Sequence, residues 1–298
     1  MSRRLDVRKT YKLYIGGKFP RSESGRSYVV ENAKGEFLAN ASRASRKDAR
    51  DAVVAARAAV PGWSEATAYN RGQVLYRVAE VMEGRAEQFA AEVAAGEGLR
   101  VSQARSVVEA AIDRWVWYAG WTDKLAQVVG GTNPVAGPYF DFSIPEPTGV
   151  VAVLAPQDSS LLGLVSVLAP ALAGGNVVVA VSSQRRPLPA ITLAEAFATS
   201  DVPGGVVNLL TGSAAEIGPW LADHADVNAI DLTGTVGASD GDAAVDAELA
   251  RDLEARAAGT LKRVRRPPAG SPDWAAEPGL SRMTAFLETK TVWHPIGV

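Results

Sequence analysis

The sequence predicts an α/β protein: a doubly wound parallel sheet, preceded by a helical N-terminal part and joined by a small extra β-element. Three observations predict it. Apolar runs without polar alternation, Gly149–Leu154 (GVVAVL) and Asn176–Val181 (NVVVAV), read as strands covered on both faces. Segments of about 10–15 residues at helical spacing separate them, as right-handed crossovers require. Before Gly130-Gly131 the chain instead carries long amphipathic helical runs.

Each element follows from its residues. Tyr11–Pro20 (YKLYIGGKFP) alternates around Gly16-Gly17 and predicts a β-hairpin. Ser45, with Asp48 three residues on, marks a helix start; Ala49, Ala52, Val53, Ala56 and Val60 recur until Pro61-Gly62, where a stop is expected. A second helix is predicted over Ala68–Leu99, with Leu75, Val78, Ala79 and Met82 on one face, and a third over Val101–Val128. The third carries Trp115, Trp117 and Trp121; Trp117 and Trp121, spaced i, i+4, are expected to pack as core or interface.

Tyr139–Ile144 (YFDFSI) alternates as a half-buried strand. After GVVAVL comes an apolar helix, Leu161–Leu172, ended by Gly174-Gly175, and after NVVVAV a helix over Leu188–Thr199. Strands at Val206–Leu210 and Ala229–Leu232 flank a short helix over Ala214–Ala222, and Asp240–Thr260 reads as a charged helix. Leu261–Glu277 is rich in Arg, Pro and Gly without periodicity and reads as a linker; its basic run, Lys262–Arg266, is read as solvated rather than as a nucleic-acid patch. The tail ends in an alternating strand (ETKTVW) that must pair with a distant strand or another chain. The expected organisation is therefore an N-terminal hairpin and helices (1–138), a strand (139–146), the α/β segment (147–260), a linker (261–279) and a C-terminal strand (280–298).

Composition narrows the function. With 298 residues, 47% hydrophobic and 21% charged, the chain can bury a sizeable core in about two domains. A net charge of −2 argues against a surface shaped for nucleic acid. No apolar run reaches membrane-spanning length, and Met1–Thr10 lacks the apolar stretch of a secretory signal, so a cytoplasmic protein is expected. There is no cysteine, which excludes disulfides, zinc thiolates and any thiolate nucleophile supplied by this chain. His224 and His294 have no ligand-spaced companions, so no metal site is expected. Gly237-Ala238-Ser239-Asp240-Gly241 matches a nucleophile-elbow pattern, but Ser239 falls several residues after its strand and the only downstream imidazole is His294; a loop is the better reading.

Six stretches in order carry a resemblance: YIGGKF (Tyr14–Phe19), the helix pair around Trp63, EPTGVVAVLAP (Glu146–Pro156), LAPALAGGNVVV (Leu168–Val179), VPGGVVNLLTG (Val202–Gly212) and DLTGT (Asp231–Thr235). With them the chain resembles the aldehyde dehydrogenase superfamily from about Leu13 to Gly237, plus the tail. The resemblance implies a Rossmann-type domain for NAD or NADP, with aldehyde oxidation through a cysteine, a glutamate base and an oxyanion-hole asparagine. The asparagine position, two residues after Ala155-Pro156, is Asp158, whose carboxylate would repel a developing oxyanion. The lysine and glutamate that would hold the cofactor ribose are Val181, which has no donor, and Gln184. In the phosphate loop Gly212 and Gly218 match while the middle glycine is Ala214; Thr233-Gly234-Thr235 keeps the turn near the nicotinamide end. The implied cofactor set is thus Ala155, Pro156, Gln184, Gly212, Gly218, Thr233, Gly234 and Thr235, with NAD or NADP binding weakened.

After Gly237 the implied Glu-Leu-Gly-Gly segment is replaced by Leu261–Arg266, and the catalytic part with its cysteine is missing. The tail (FLETKTVWHPIGV) resembles the family's oligomerisation strand, which joins the strands near Tyr139–Ile144 and pairs with a neighbouring subunit. The chain is similar to the degenerate second module of two-module aldehyde dehydrogenases. These features lead to the expectation of a non-catalytic subunit, a pseudoenzyme, that assembles with a full-length aldehyde dehydrogenase or with itself. The alternatives are a nucleotide-binding protein without chemistry, or an aldehyde oxidoreductase active only with a cysteine from its partner.

Overall fold

The computed structural model describes residues 9–239 and 241–297, so most of the charged N-terminal stretch and Asp240 of the elbow-like motif lie outside the described residues. Strands β1 (Thr10–Tyr11), β2 (Ser27–Glu31) and β3 (Phe37–Ser42) form a small sheet in the order β1-β3-β2. The expected hairpin forms over Leu13–Pro20: Ile15 and Lys18 exchange both backbone hydrogen bonds across Gly16 and Gly17, whose φ angles of +59° and +79° only glycine adopts cheaply, and the Leu13 N–H donates to the Pro20 carbonyl at 3.0 Å, while Tyr14 pairs on the other side with Leu209.

Helix α1 (Arg46–Ser64) starts in a capping box between Ser45 and Asp48. It does not stop at Pro61-Gly62. The buried Trp63, whose indole N–H donates to the Leu172 carbonyl at 3.1 Å, holds the last turn in place by packing. The expected second helix is two, α2 (Ala68–Glu83) and α3 (Ala86–Glu97), broken at Gly84-Arg85, and the third is also two, α4 (Val101–Trp121) and α5 (Leu125–Val129). At the second break the Thr122 hydroxyl bonds the Ala119 carbonyl at 2.9 Å, a local side-chain bond that competes with helix continuation. Trp115 is fully buried and edge-on to Phe197 at 5.7 Å, while Trp117 and Trp121 sit 5.5 Å apart and pack against the core as expected.

Next come β4 (Gly131–Asn133), β5 (Tyr139–Pro147), β6 (Val150–Leu154), α6 (Leu162–Ala173), β7 (Val177–Val181), α7 (Leu188–Phe197), β8 (Val207–Leu210), α8 (Ala214–Asp223) and β9 (Ala229–Asp231). A single 3-10 turn (Thr233–Thr235) leads to α9 (Ala243–Ala258), β10 (Arg263–Arg265), α10 (Ser281–Thr284) and β11 (Leu287–Pro295). The main sheet runs β10-β9-β6-β7-β8, parallel throughout. Helix α6 is buried along its whole length, which is why its sequence is apolar without a polar face.

The linker reading of 261–279 needs correction. Residues 263–265 are the edge strand of the main sheet, bonded through Arg263 N–H to the Asn228 carbonyl and Leu232 N–H to the Arg265 carbonyl. Arg263 pairs outward with Glu288 and the following Arg266 with Glu254, while Arg265 faces the buried Asp231, so a charged sequence blunts an exposed edge. The tail strand β11 pairs antiparallel with β5 over nine unbroken positions, Leu287↔Pro147 to Pro295↔Tyr139, giving a third sheet in the order β11-β5-β4. One hydrophobic core runs from α1 through α4 and the main sheet to Phe286 and Leu287, so the helical part and the α/β segment are packed as a unit. Among the described residues no helix is long and apolar enough to cross a membrane.

Candidate active-site crevice

In the main sheet the chain winds β6-β7-β8 to one side, then returns to place β9 on the other side of β6. Beyond the carboxyl ends of β6 and β9 the loops diverge, and a crevice opens there by topology alone. It has a volume of about 250 Å³ and lies between Pro156-Gln157-Asp158, Arg185-Arg186, and Thr233 with Val236-Gly237. Its remaining wall is the irregular segment 267–279, which contributes Pro268, Ser271, Pro272 and Trp274. That volume falls below the roughly 300–1,000 Å³ usual for small-molecule sites.

Asp158 is exposed at the mouth of this crevice. Its carboxylate accepts a hydrogen bond from the Ser271 hydroxyl, and its backbone carbonyl accepts one from the Arg186 guanidinium at 2.7 Å. Ala155 and Pro156 begin the loop after β6; the Ala155 N–H donates to the Val181 carbonyl at 2.9 Å. Thr233-Gly234-Thr235 closes on itself. The Thr233 N–H and hydroxyl both donate to Asp231, and the Thr235 hydroxyl donates to the Leu232 carbonyl at 2.9 Å. Of the eight positions implied for the cofactor, this crevice brings together Pro156 and Thr233 at its surface, with Ala155, Gly234 and Thr235 directly behind them.

The other three lie elsewhere. Gln184 is exposed in a separate groove beside Tyr28 and Asn32, with its backbone N–H donated to Gln157. Gly212, at φ +132°, packs under Ala44, and Gly218 is inside α8, where a Cβ would meet Leu253 at 3.2 Å. At the start of α8, where a phosphate would profit from the helix dipole, Glu216 already supplies the negative charge. Hydrogen bonds from Arg26, at 2.7 Å, and from Arg43 hold its carboxyl below the usual range. The eight positions therefore do not line one continuous crevice.

Several functional-looking groups have no sequence signature. Asp231 ends β9 fully buried, 3.2 Å from the Arg282 guanidinium and 4.0 Å from that of Arg265. Burial lowers the pKa of Arg282 and Arg114. An aspartate closing an apolar strand was the one available sign that a partner cation would be near. Ser239 donates to the Asp246 carboxylate and the Asp242 carbonyl, and His294 sits on β11 opposite Phe140, so no serine–histidine pair forms. Among the described residues no group of three or more His, Cys, Asp or Glu is placed to hold a metal ion.

Comparison with known proteins agrees with this architecture. The aldehyde dehydrogenase family model matches residues 19–246. The chain is 34% identical over 241 residues to cytosolic 10-formyltetrahydrofolate dehydrogenase of Mus musculus, covering 78% of this chain and 26% of that protein. It is 32% identical over 270 residues to putative aldehyde dehydrogenase DhaS of Bacillus subtilis (strain 168), covering 89% of this chain and 52% of that one. The NAD+ complex of an aldehyde dehydrogenase from Bacillus cereus superposes with a TM-score of 0.78 at 28% identity, over 86% of this chain and 50% of that chain. The chain thus spans between about a quarter and a half of the length of these relatives. It belongs to the aldehyde dehydrogenase family.

Proposed function

We propose that this chain is a non-catalytic aldehyde dehydrogenase subunit that assembles with a complete, NAD(P)-dependent one, the β11-β5-β4 sheet being the surface of assembly. The observation that carries the reading is the absence of cysteine from all 298 residues. An acyl-transfer oxidation of this family type needs a thiolate to attack the carbonyl, and the hydroxyl that meets a carboxylate in the crevice, Ser271 on Asp158, has no imidazole among the described lining residues to take its proton. Asp158 supports it: a carboxylate at the oxyanion position raises, rather than lowers, the energy of a developing negative charge. The long regular strand β11, paired on one side only, leaves a row of backbone donors and acceptors for another chain.

The test is to co-express the chain with a full-length aldehyde dehydrogenase from the same cell and measure the mass of what co-elutes by light scattering. A complex of defined stoichiometry is expected, and NADH production by the purified chain alone is expected to stay at background. A monomer that ignores such partners, or turnover by the chain alone, overturns the reading.

A further inference from the structure

Residues 267–279 carry no regular secondary structure, yet they are held at many points. Arg114 of α4, 8% exposed, donates from one guanidinium nitrogen to the carbonyls of Trp274 at 2.8 Å and Ala276 at 2.9 Å, and from another to Ser166 of α6 at 3.2 Å. One turn along α4, the Tyr118 hydroxyl donates to the Gly279 carbonyl at 3.2 Å. The Arg282 guanidinium lies 5.2 Å from the Trp274 ring, and Ser271 donates to Asp158 across the crevice mouth. Trp274 and Leu280 pack against the main core. An irregular segment gripped by its backbone carbonyls is a strap with a defined path, since each charged donor spent on a neutral carbonyl must be repaid by keeping that carbonyl in place.

We propose that this strap is a built-in occupant of the switch-point crevice, clasped by Arg114 and Tyr118, and that it is the principal barrier to a dinucleotide there. Two kinds of obstacle meet a dinucleotide. The altered side chains, Asp158 at the crevice and Gln184 in the groove beside it, remove or reverse individual polar contacts and weaken binding stepwise. The strap narrows the space itself, with Ser271, Pro272 and Trp274 forming the wall over Thr233 and Gly237. A site whose open form is only fractionally populated binds with an affinity reduced by that fraction, so the clasp multiplies every other loss. The inference concerns nucleotide access and is independent of whether the chain assembles with a catalytic subunit.

The experiment compares the full chain with two strap variants. One is the double substitution Ser271→Ala, Trp274→Ala; the other replaces residues 268–274 with glycine and serine at equal length, leaving Arg114 in place and removing from the core only the contact of Trp274. Each is first shown to be folded by circular dichroism and a cooperative melt. Limited digestion with subtilisin, whose cleavage does not depend on Trp274, then reports strap release, and NAD+ and NADP+ are titrated by calorimetry. The natural chain is expected to resist cleavage within residues 267–279 and to give no saturable heat at millimolar nucleotide. The folded equal-length variant is expected to bind NAD+ at least about tenfold more tightly. A folded, protease-open variant that still gives no saturable heat overturns the proposal, as does saturable NAD+ binding by the natural chain with its strap protected. Neither outcome touches the assembly reading, which is decided by co-elution.

Discussion

A Cβ on Gly234 would stand 2.0 Å from the Ala155 carbonyl oxygen and 2.5 Å from that of Leu154, both on the backbone of the neighbouring strand end. Backbone of a central strand cannot yield as a flexible side chain does, so the turn after β9 admits glycine alone. Gly234→Ala is expected to destabilise by about 3 kcal/mol or more, the upper range for overpacking a rigid site. That corresponds to a fall in melting temperature of roughly 6 °C or more, read by calorimetry. A change smaller than that, with the crevice intact, would mean that β9 and β6 separate more easily than their pairing implies. The same position shows why part of the site was legible in the residues. Thr233-Gly234-Thr235 states its own geometry, because the hydroxyls bond within two or three residues and the glycine meets the adjacent strand. Gly218 and Gln184 do not. What each does depends on its distant neighbours, Leu253 for the one and the β2 groove for the other. Short-range pattern carries no information about either.

Between α3 and α7 a polar cluster is sealed by the first strand. Glu92 accepts hydrogen bonds from the Tyr11 and Thr192 hydroxyls, both at 2.9 Å, while its second carboxylate oxygen is buried without a partner. Arg85 and Lys9 bind Glu195 at 3.0 and 2.8 Å, and Gln88 donates to Thr192. Burial pushes the Glu92 carboxyl above its ordinary 4.5, with the hydrogen bonds from Thr192 and Tyr11 and the Lys9 charge only partly opposing it. An acid whose folded pKa is raised binds more protons folded than unfolded. Stability from this group is therefore fully present below about pH 4.5 and is lost as pH rises through the higher folded pKa. Glu92→Gln removes the titration. The melting temperature of the natural chain minus that of the variant is expected to be level below pH 4 and to fall as pH rises. A flat difference from pH 4 to 8 would show that the carboxyl is solvated. Element boundaries here obey the same limit as single residues. Periodicity marks which positions are buried, so α2, α3 and α4 were visible as apolar faces. It does not mark a bend, so Gly84-Arg85 passed for helix interior. Arginine-rich β10 and the strap were hidden because their pairing is bought by tertiary partners, β9 for the one and α4 for the other.

At the scale of the molecule, one well-packed body carries one sheet with an open side. Along β5 the residues Phe140, Phe142 and Ile144 alternate onto a single face, and Val292 of β11 stands opposite Phe142 on that same face. Phe140 and Phe142 lie 5.5 Å apart, yet Phe140 remains 48% exposed and the other three are half-buried. An apolar row on a three-stranded sheet with a free edge is costly for an isolated chain and is offset when another sheet or strand covers it. If assembly uses this surface, a charge in the middle of the row should oppose it while leaving the main core alone, because Val292 belongs to the small sheet and not to that core. Val292→Lys is therefore expected to shift the chain from an assembled species to a monomer in light scattering, with the main melting transition moved by no more than about 2 °C, the range of a surface substitution. Assembly of the lysine variant as tight as that of the natural chain would place the contact elsewhere. A large loss of melting temperature without a change of mass would show that the row stabilises the fold itself, through β5, rather than recognising a partner.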